Sequence, residues 1–461
     1  LKRRRLELEA VASQYYRLLQ RTPVVAGTNQ SDYFLIERQA PDRTILRIYD
    51  PETGDCRLEQ QFSGRETKEL WLYGLAGNDT FEVKGNTRKD FPIYLISGEG
   101  ENQYQLNHNR KIHVYDKDYK YDYQKIKYHK ISFTPWGIYD SDKGISLGTF
   151  FTYTMYGFKR APFTYQHRIG YNYLKGFMYA GVFPNYDGRR RLYLNASISS
   201  PRNFENFFGF GNNTAGYKEE KKNYNRVKLR TYMLNPSFEM DLRKEEVVTF
   251  FGSLDMYKAK RTDDRYIYTV YGEDHPIFRT NYFVGLGATY RITKQPYSWL
   301  PLLETEWTAG WKMNLKEPER NFPYAQGSLS WNVRFSDRFT WASLMKGTVL
   351  FDNDYEFYQA ATIDLRGFRD NRFIGKQSFY QYSDLRLDMG KLKNPFTPLK
   401  YGLFAGFDYG RVWFPGERSH SWHTSYGGGI WLTFLNKFTT KYSWFGSTDS
   451  FRFAFELGLG F

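Results

Sequence analysis

The sequence contains no long run of apolar residues. A helix that crosses a bilayer needs roughly 18 or more consecutive apolar residues, and none of the 461 residues belongs to such a run. The mean hydropathy of −0.67 is by itself typical of a soluble protein. Aromatic residues nevertheless make up 20% of the chain. A membrane β-barrel reconciles these two facts, because its lumen is polar, its outer face is apolar and aromatic girdles lie at both interfaces.

Cysteine and clustered histidine are also scarce. Cys56 is the single cysteine, which excludes an internal disulfide framework. The sequence lacks the D-x-H, G-D and G-H-x-H clusters of a two-metal phosphoesterase, a Walker loop and a G-x-S-x-G nucleophile elbow. We therefore predict no catalytic residue, no metal site of this kind and no cofactor in the chain. The seven histidines, none of which completes such a cluster, are His108, His113, His129, His167, His275, His420 and His423.

The chain has fewer acidic than basic residues, 50 Asp and Glu against 65 Lys and Arg, and its formal net charge is +15. Such a balance is compatible with nucleic acid, anionic lipid or charged loops. The basic residues are scattered between aromatic segments and form no single stripe. We therefore expect them in solvated loops, in the barrel lumen and against the phosphates of outer-membrane lipid and lipopolysaccharide. We expect no nucleic-acid partner.

Three regions are predicted along the chain. Residues 1–30 are a helix and linker, because Leu8, Val11, Tyr15, Leu18 and Leu19 recur at helical spacing before Pro23. Residues 31–126 are a module of short strands, expected in the periplasm. Residues 127–461 are the barrel. Since the chain starts without Met and without a signal segment, we expect it to be the mature part of a secreted protein.

The β-rich module contains an internal repeat. Residues 70–81, LWLYGLAGNDTF, align with 93–104, IYLISGEGENQY, and this spacing is typical of stacked coils or of successive hairpins. The turn at 74–81 resembles the calcium-binding nonapeptide of RTX repeats, which makes Asp79 a candidate calcium ligand. Leu75 replaces the second glycine, and Asn102 stands where the next copy needs Asp. An ordinary glycine turn is the alternative.

Long alternating segments begin near residue 127. In FRFAFELGLGF (451–461) every second residue is apolar, and the residues between are small or charged. Successive side chains of a strand lie on opposite faces, so we expect one face to meet lipid and the other the lumen. The same prediction places Ile145, Leu147, Phe151, Tyr153 and Met155 toward lipid and Ser146, Gly148, Thr152 and Thr154 toward the lumen. It likewise places Val227, Leu229 and Met233 toward lipid and Arg226, Lys228 and Arg230 toward the lumen.

Sixteen segments of this kind predict an all-β fold, a 16-stranded antiparallel transmembrane barrel. Many are longer than the roughly five or six residues of strands in soluble sandwiches, and an even number is usual in single-chain bacterial barrels. The predicted strands are 127–138, 144–158, 162–174, 176–185, 190–200, 224–240, 246–260, 281–293, 302–314, 324–335, 339–351, 379–390, 399–413, 424–435, 438–446 and 451–461.

One motif follows the eleventh predicted strand. Leu365-Arg366-Gly367-Phe368 resembles the V/I-R-G-F/Y signature of the BamA, TamA and FhaC superfamily, the bacterial surface antigen barrels of Gram-negative bacteria. The segments 382–387, YSDLRL, and 407–413, FDYGRVW, are similar to the strands that follow that loop in the family. Phe461 matches the family's C-terminal assembly signal. The resemblance implies a sixteen-stranded barrel that inserts or translocates proteins at the outer membrane, with this loop folded into the lumen.

The physical chemistry of these residues supports a loop anchor. The planar guanidinium of Arg366 suits two carboxylates, and we expect it to bind Asp384 and Asp408 on adjacent strands. Gly367 permits a sharp backbone path, and Phe368 is expected to wedge against the wall.

The barrel seam, where the first and last strands meet, is expected to be weak; the alternative is that Pro135 lies just outside the first strand and that the seam is fully paired. Proline removes a ladder donor and glycine weakens a strand. The residues concerned are Pro135, Gly137, Gly458 and Gly460.

The region before the barrel departs from BamA and TamA, since residues 1–126 do not look like POTRA domains. They resemble the connecting region of proteins that join a calcineurin-like metallophosphoesterase to a surface-antigen barrel, on the evidence of 24–38 and 66–83. We expect a barrel that anchors or translocates an N-terminal domain, or an accessory of an outer-membrane assembly or secretion complex. The alternatives are an insertase that works through the seam, and the barrel half of a tethered phosphoesterase. In the last case the catalytic domain would precede Leu1.

Overall fold

The chain divides into two compact units, Leu1–Lys127 and Tyr128–Phe461. Among the residues described, no helix has the length and apolar character needed to cross a bilayer. The computed structural model describes residues 8, 12–13, 15–16, 19–39, 42–85, 91–106, 111–116, 129–156, 162–185, 188–214, 223–262, 264–294, 302–392, 399–434 and 438–459.

The first unit contains helical residues up to Gln20, followed by nine strands in two sheets. One sheet has the order β1-β5-β7-β9, and the other β4-β3-β2-β6-β8. Their inward faces enclose an apolar core that includes Phe34, Phe62 and Phe81. The strands are β1 (Val24–Ala26), β2 (Tyr33–Gln39), β3 (Arg43–Tyr49), β4 (Cys56–Ser63), β5 (Leu70–Tyr73), β6 (Thr80–Gly85), β7 (Ile93–Gly98), β8 (Gln103–Leu106) and β9 (Ile112–Asp116).

The internal repeat forms stacked coils, which is the first of the two predicted alternatives. β5 pairs in parallel with β7 and β6 in parallel with β8, so that Leu70 lies beside Ile93 and Thr80 beside Gln103. The turns stack as well, because the side-chain oxygen of Asn102 accepts the backbone N–H of Asp79 at 2.9 Å. Asp79 Oδ1 accepts the backbone N–H of Asp32 at the same distance. Asp79 is therefore a buried capping residue between coils.

The second unit is a closed antiparallel barrel, which confirms the predicted fold class. Each predicted strand corresponds to an observed one within a few residues. The described strands are β10 (Lys130–Asp140), β11 (Gly144–Met155), β12 (Tyr165–Asn172), β13 (Gly176–Pro184), β14 (Arg190–Ser199), β15 (Phe204–Asn206), β16 (Arg226–Arg243), β17 (Glu246–Ala259), β18 (Asn281–Lys294), β19 (Leu302–Asn314), β20 (Asn321–Arg334), β21 (Phe339–Leu350), β22 (Ala361–Thr362), β23 (Ile374–Gly375), β24 (Gln377–Leu392), β25 (Leu399–Trp413), β26 (His423–Phe434), β27 (Phe438–Ser447) and β28 (Phe451–Leu459). Sixteen of these form the wall, while β15, β22 and β23 are short pairings within connections.

The outer face of the wall is apolar and the inner face polar, as expected of a transmembrane barrel. Ile145 and Leu147 are each 62% exposed, whereas Ser146 between them is 3% exposed. In the last strand, Phe451 is 70% exposed and Arg452 is buried. The alternation within these two strands is therefore confirmed.

The orientation predicted for the start of β16 is wrong. Val227 and Leu229 are buried inside, and Lys228 and Arg230 are exposed on the outer face. The reason is tertiary: long connections fill the lumen at this end with their own apolar side chains. Val227 and Leu229 pack there with Phe207, Ile267 and Phe357, so the apolar face of β16 turns inward.

The long connections all leave the same end of the barrel. They lie after β14, β17 and β21, and include the helix α1 (Tyr266–Tyr271) and two 3₁₀ turns, Pro276–Phe278 and Phe357–Gln359. Because the wall has an even number of strands, the start of β10 and the end of β28 both lie at the opposite end. We call the two ends the loop end and the terminal end.

Candidate functional site

The lumen of the barrel holds a cavity of about 1100 Å³ between the wall and the connection from β21 to β24. We call this connection, residues 351–376, the lumen loop. Charged side chains of β24, β27 and β28 line the cavity, among them Arg386, Lys441, Arg452 and Glu456. The cavity is therefore a polar chamber, as a barrel lumen should be.

Arg366 joins the lumen loop to two neighbouring strands of the wall. Its Nη1 donates to Asp384 Oδ1 of β24 at 2.7 Å. Its Nε donates to Asp408 Oδ2 of β25 at 3.0 Å, and its Nη2 also bonds Asp408. The backbone N–H of Arg366 reaches the same carboxylate at 3.2 Å. Asp408 is fully buried and also accepts the Ser425 hydroxyl at 2.9 Å, so its charge is compensated from three directions.

Aromatic rings complete the surroundings of this guanidinium. It lies 3.9 Å from the ring centre of Phe445 and 5.2 Å from that of Tyr382, which are cation–π distances. Burial alone lowers the pKa of Arg366. The hydrogen bonds that Arg366 donates to Asp408 and Asp384, together with the negative charges of these carboxylates, raise the pKa by more, so it lies above its ordinary value. Arg366 therefore remains charged.

Gly367 is required by close approach to the wall. A Cβ built at this position lies 2.6 Å from Cβ of Ser425 and 2.9 Å from the carbonyl oxygen of Gly446. Gly367 is not among the residues with a positive φ, so packing and not left-handed backbone explains the glycine. The Gly367 carbonyl also accepts the Ser447 hydroxyl at 2.7 Å.

Phe368 lies in an apolar cluster between the lumen loop and the wall. The cluster contains Leu365 and Phe373 of the loop, with Tyr380 and Val412 of the wall. The rings of Phe368 and Phe373 meet edge to face at 5.3 Å. The loop is thus held by an ionic contact and an apolar contact at adjacent residues.

The lumen loop also binds the turns on both sides of the seam. Asp142 and Lys143 lie in the turn between β10 and β11. Asp142 Oδ1 is 2.5 Å from Nη1 of Arg369 in the lumen loop, and Lys143 Nζ is 2.7 Å from Oδ2 of Asp370 in the same loop. On the other side, Arg372 Nε binds Asp449 in the turn between β27 and β28 at 2.5 Å. The loop therefore bridges the first and last hairpins at the loop end.

The seam itself has short pairing. β10 and β28 pair at four positions, from Gly137 opposite Leu457 to Asp140 opposite Ala454. Within the described ranges, every other neighbouring pair of wall strands pairs at seven or more positions, and β12 with β13 is the next shortest. Among the described residues, the pairing toward the terminal end stops at Gly137. There Pro135 pairs only with Thr149 of β11.

The predicted residues fall into three places. Arg366, Gly367, Phe368, Asp384 and Asp408 meet at the lumen loop. Pro135, Gly137 and Gly458 lie in the two seam strands, while Gly460 and Phe461 lie outside the described residues. Asp79 lies in the other unit, and its Oδ2 is buried without a hydrogen-bond partner. Within the described part of the chain, no group of three or more His, Cys, Asp or Glu is placed to hold a metal ion.

Several contact residues were not found from the sequence. Ser425, Ser447 and Phe445 surround the motif but lie 57 or more positions after it, and no pattern marks them. Asp142 could have been suspected from the turn sequence SDKG (141–144), but not its partner Arg369, which lies 227 positions away.

Comparisons with known proteins give fold similarity only. No family model and no curated protein matches the chain. Among solved structures, it is similar to BamA from Haemophilus ducreyi lacking POTRA domains 1–3, at 11% identity and a TM-score of 0.49, covering 72% of this chain and 71% of that one. It is also similar to CdiB from Escherichia coli, at 10% identity and a TM-score of 0.47, covering 72% and 68%. CdiB from Acinetobacter baumannii matches at 12% identity and a TM-score of 0.43, covering 72% and 60%.

Proposed function

We propose that this chain is an outer-membrane barrel of protein assembly or secretion, with residues 31–126 in the periplasm and a seam that opens to admit a client strand. The observation that carries the proposal is the uneven seam. It is bridged by the lumen loop at the loop end and pairs at four positions; within the described residues the pairing ends at Gly137, although β28 continues to Leu459. A barrel serving only as a rigid pore has no need of such an edge.

An unpaired strand edge is a template for another chain. Pro135 and Trp136 of β10 pair with β11 on one side, and on the other they have no pairing with Gly458 and Leu459, the last described residues of β28. Free N–H and C=O groups along such an edge accept an added strand. Unfolded outer-membrane clients arrive from the periplasm, and an opening at the terminal end would face the periplasm.

The second candidate is an anchor for an attached domain. The closed lumen supports this anchor function, because the lumen loop and the residues that it contacts fill the loop end of the barrel. The attached domain in this reading is the metallophosphoesterase that the sequence resemblance suggests. An intact native mass well above 54.8 kDa would support the anchor function.

Locking the seam separates these functions. Tyr139 lies directly opposite Phe455 across the seam, so Tyr139→Cys with Phe455→Cys can close it with a disulfide. The matched control uses the same residue on its other side, Tyr139→Cys with Ile145→Cys, where β10 and β11 are fully paired. Both pairs are made in a Cys56→Ser background, because Cys56 is exposed and free.

The measurement is the folding rate of a small urea-unfolded outer-membrane barrel in liposomes that contain each variant. We expect the oxidised seam lock to abolish the acceleration, dithiothreitol to restore it, and the control lock to have no effect. Equal acceleration by the oxidised seam lock and its control would refute seam opening and favour the anchor.

A further inference from the structure

The outer face of β16 and β17 carries a basic patch at the loop end. Lys228 and Arg230 of β16 and Lys258 of β17 are exposed there, as is Lys260 just after β17. Arg230 is directly opposite Lys258. The backbone N–H of Lys260 donates to the Lys228 carbonyl at 2.8 Å, so these two residues are also neighbours. We call these four residues the basic patch.

This arrangement is unfavourable unless an anion is present. Like charges directly opposite on one face of a sheet destabilise the pair. Within the described part of the chain, none of the four basic residues has a recorded ion pair with a carboxylate. The four cations are thus crowded together, and no carboxylate among the described residues pairs with them.

The patch also interrupts a rim that is otherwise aromatic. Outward-facing aromatic side chains occupy the loop end on other strands, as expected where a barrel meets the membrane interface. They include Tyr171, Trp311, Phe351, Trp413, Tyr426 and Phe451, all exposed. A basic cluster within an aromatic girdle lies at the depth of lipid headgroups.

An apolar groove lies next to the basic patch, farther along the strands toward the middle of the membrane. Its volume is about 410 Å³, and outward-facing Ile198, Tyr232, Leu234, Leu254 and Tyr282 line it. Tyr232 follows Arg230 by two positions on the same face, a separation of roughly 7 Å along a strand. At the edge of the groove, Lys316 Nζ lies 5.2 Å from the ring centre of Tyr282, which adds a fifth cation.

We propose that the patch and groove form a binding site for lipopolysaccharide, with its phosphates on the basic patch and one acyl chain in the groove. The chemistry is complementary, because Arg230 can bind phosphate bidentately and the lysines supply point charges. A multiply phosphorylated lipid suits two adjacent cation pairs better than a lipid with one phosphate. The site rests on the proposed function only for the outward orientation of the loop end.

Binding is tested on the purified full chain in detergent. Native mass spectrometry and a titration with lipopolysaccharide compare the wild type with Arg230→Gln/Lys258→Gln. We expect one lipid per wild-type chain and a loss of about tenfold or more in affinity for the variant, the factor that about 1.4 kcal/mol represents. The matched control is Arg338→Gln/Lys391→Gln, which removes two exposed cations at the terminal end and should bind as wild type.

Further arms distinguish the source of the phosphate. Dephosphorylated lipopolysaccharide should bind weakly, and neither phosphatidylglycerol nor inorganic phosphate should displace the bound lipid. Equal loss in the control variant, or equal binding of phosphatidylglycerol, would overturn the proposal. The oxidised seam lock should bind lipopolysaccharide normally, so failure of the seam proposal and failure of the lipid site are separate results.

Discussion

Replacing Arg366 with alanine is the sharpest test of the lumen-loop anchor. The change leaves Asp408, which is fully buried, with only the Ser425 hydroxyl and one backbone N–H. Asp384 keeps a single longer contact, 3.6 Å from Arg386. Breaking a buried ion pair by removing one partner costs roughly 3–5 kcal/mol. At about 1.4 kcal/mol for each factor of ten, the ratio of folded to unfolded chain should fall by roughly a hundredfold to a few thousandfold.

The assay is urea unfolding of the chain in lipid bilayers, followed by tryptophan fluorescence and by heat-modifiable migration on gels. Arg418→Ala is the matched control, because Arg418 is an exposed arginine in the connection from β25 to β26. Its effect should stay within about 0.5 kcal/mol, as for most surface substitutions.

A double variant distinguishes a lost contact from an uncompensated charge. Arg366→Ala/Asp408→Asn removes both the cation and the buried anion it neutralised. We expect it to be more stable than Arg366→Ala alone, since the desolvated charge is the larger part of the cost. Equal urea midpoints for Arg366→Ala and Arg418→Ala would refute the anchor, whatever the double variant does.

Two further predictions concern the orientation and the first unit. An impermeant thiol reagent applied to intact cells should label Asn213→Cys and Asp264→Cys, each made in a Cys56→Ser background. The same reagent should not label Cys56 in the wild-type protein. Labelling of wild-type Cys56 without labelling of the two introduced cysteines would reverse the proposed orientation. Burial raises the pKa of the Asp79 carboxyl from its ordinary value of 3.8 to about 7. Between about pH 4 and pH 7 the folded unit therefore retains a proton on Asp79 that the unfolded chain releases, so the contribution of Asp79 to the stability of the unit should be most favourable below about pH 4 and should fall as the pH rises to about 7. Hydrogen exchange of residues 70–106 in the full chain should show this loss, and Asp79→Asn should flatten it; unchanged pH dependence in that variant would count against the burial argument.

The strands of the barrel were predictable because a membrane wall imposes a local rule. Each wall strand meets lipid on one side and the polar lumen on the other. Apolar and polar residues therefore alternate with a period of two in nearly every strand, as they do from Ile145 to Met155. The repeat of the first unit was readable for a similar reason, since stacked coils require the same residue types at a constant spacing. The motif at Arg366 was visible only through its resemblance to a family.

The tertiary structure decided what no local pattern contains. The start of β16 has the expected alternation, but which face turns outward depends on what fills the lumen, and there the long connections supply apolar neighbours for Val227 and Leu229. The pairing of Arg369 with Asp142 joins positions that come together only when the barrel closes. Likewise, the length of the seam depends on the register between the first and last strands, and closure of the whole wall sets that register.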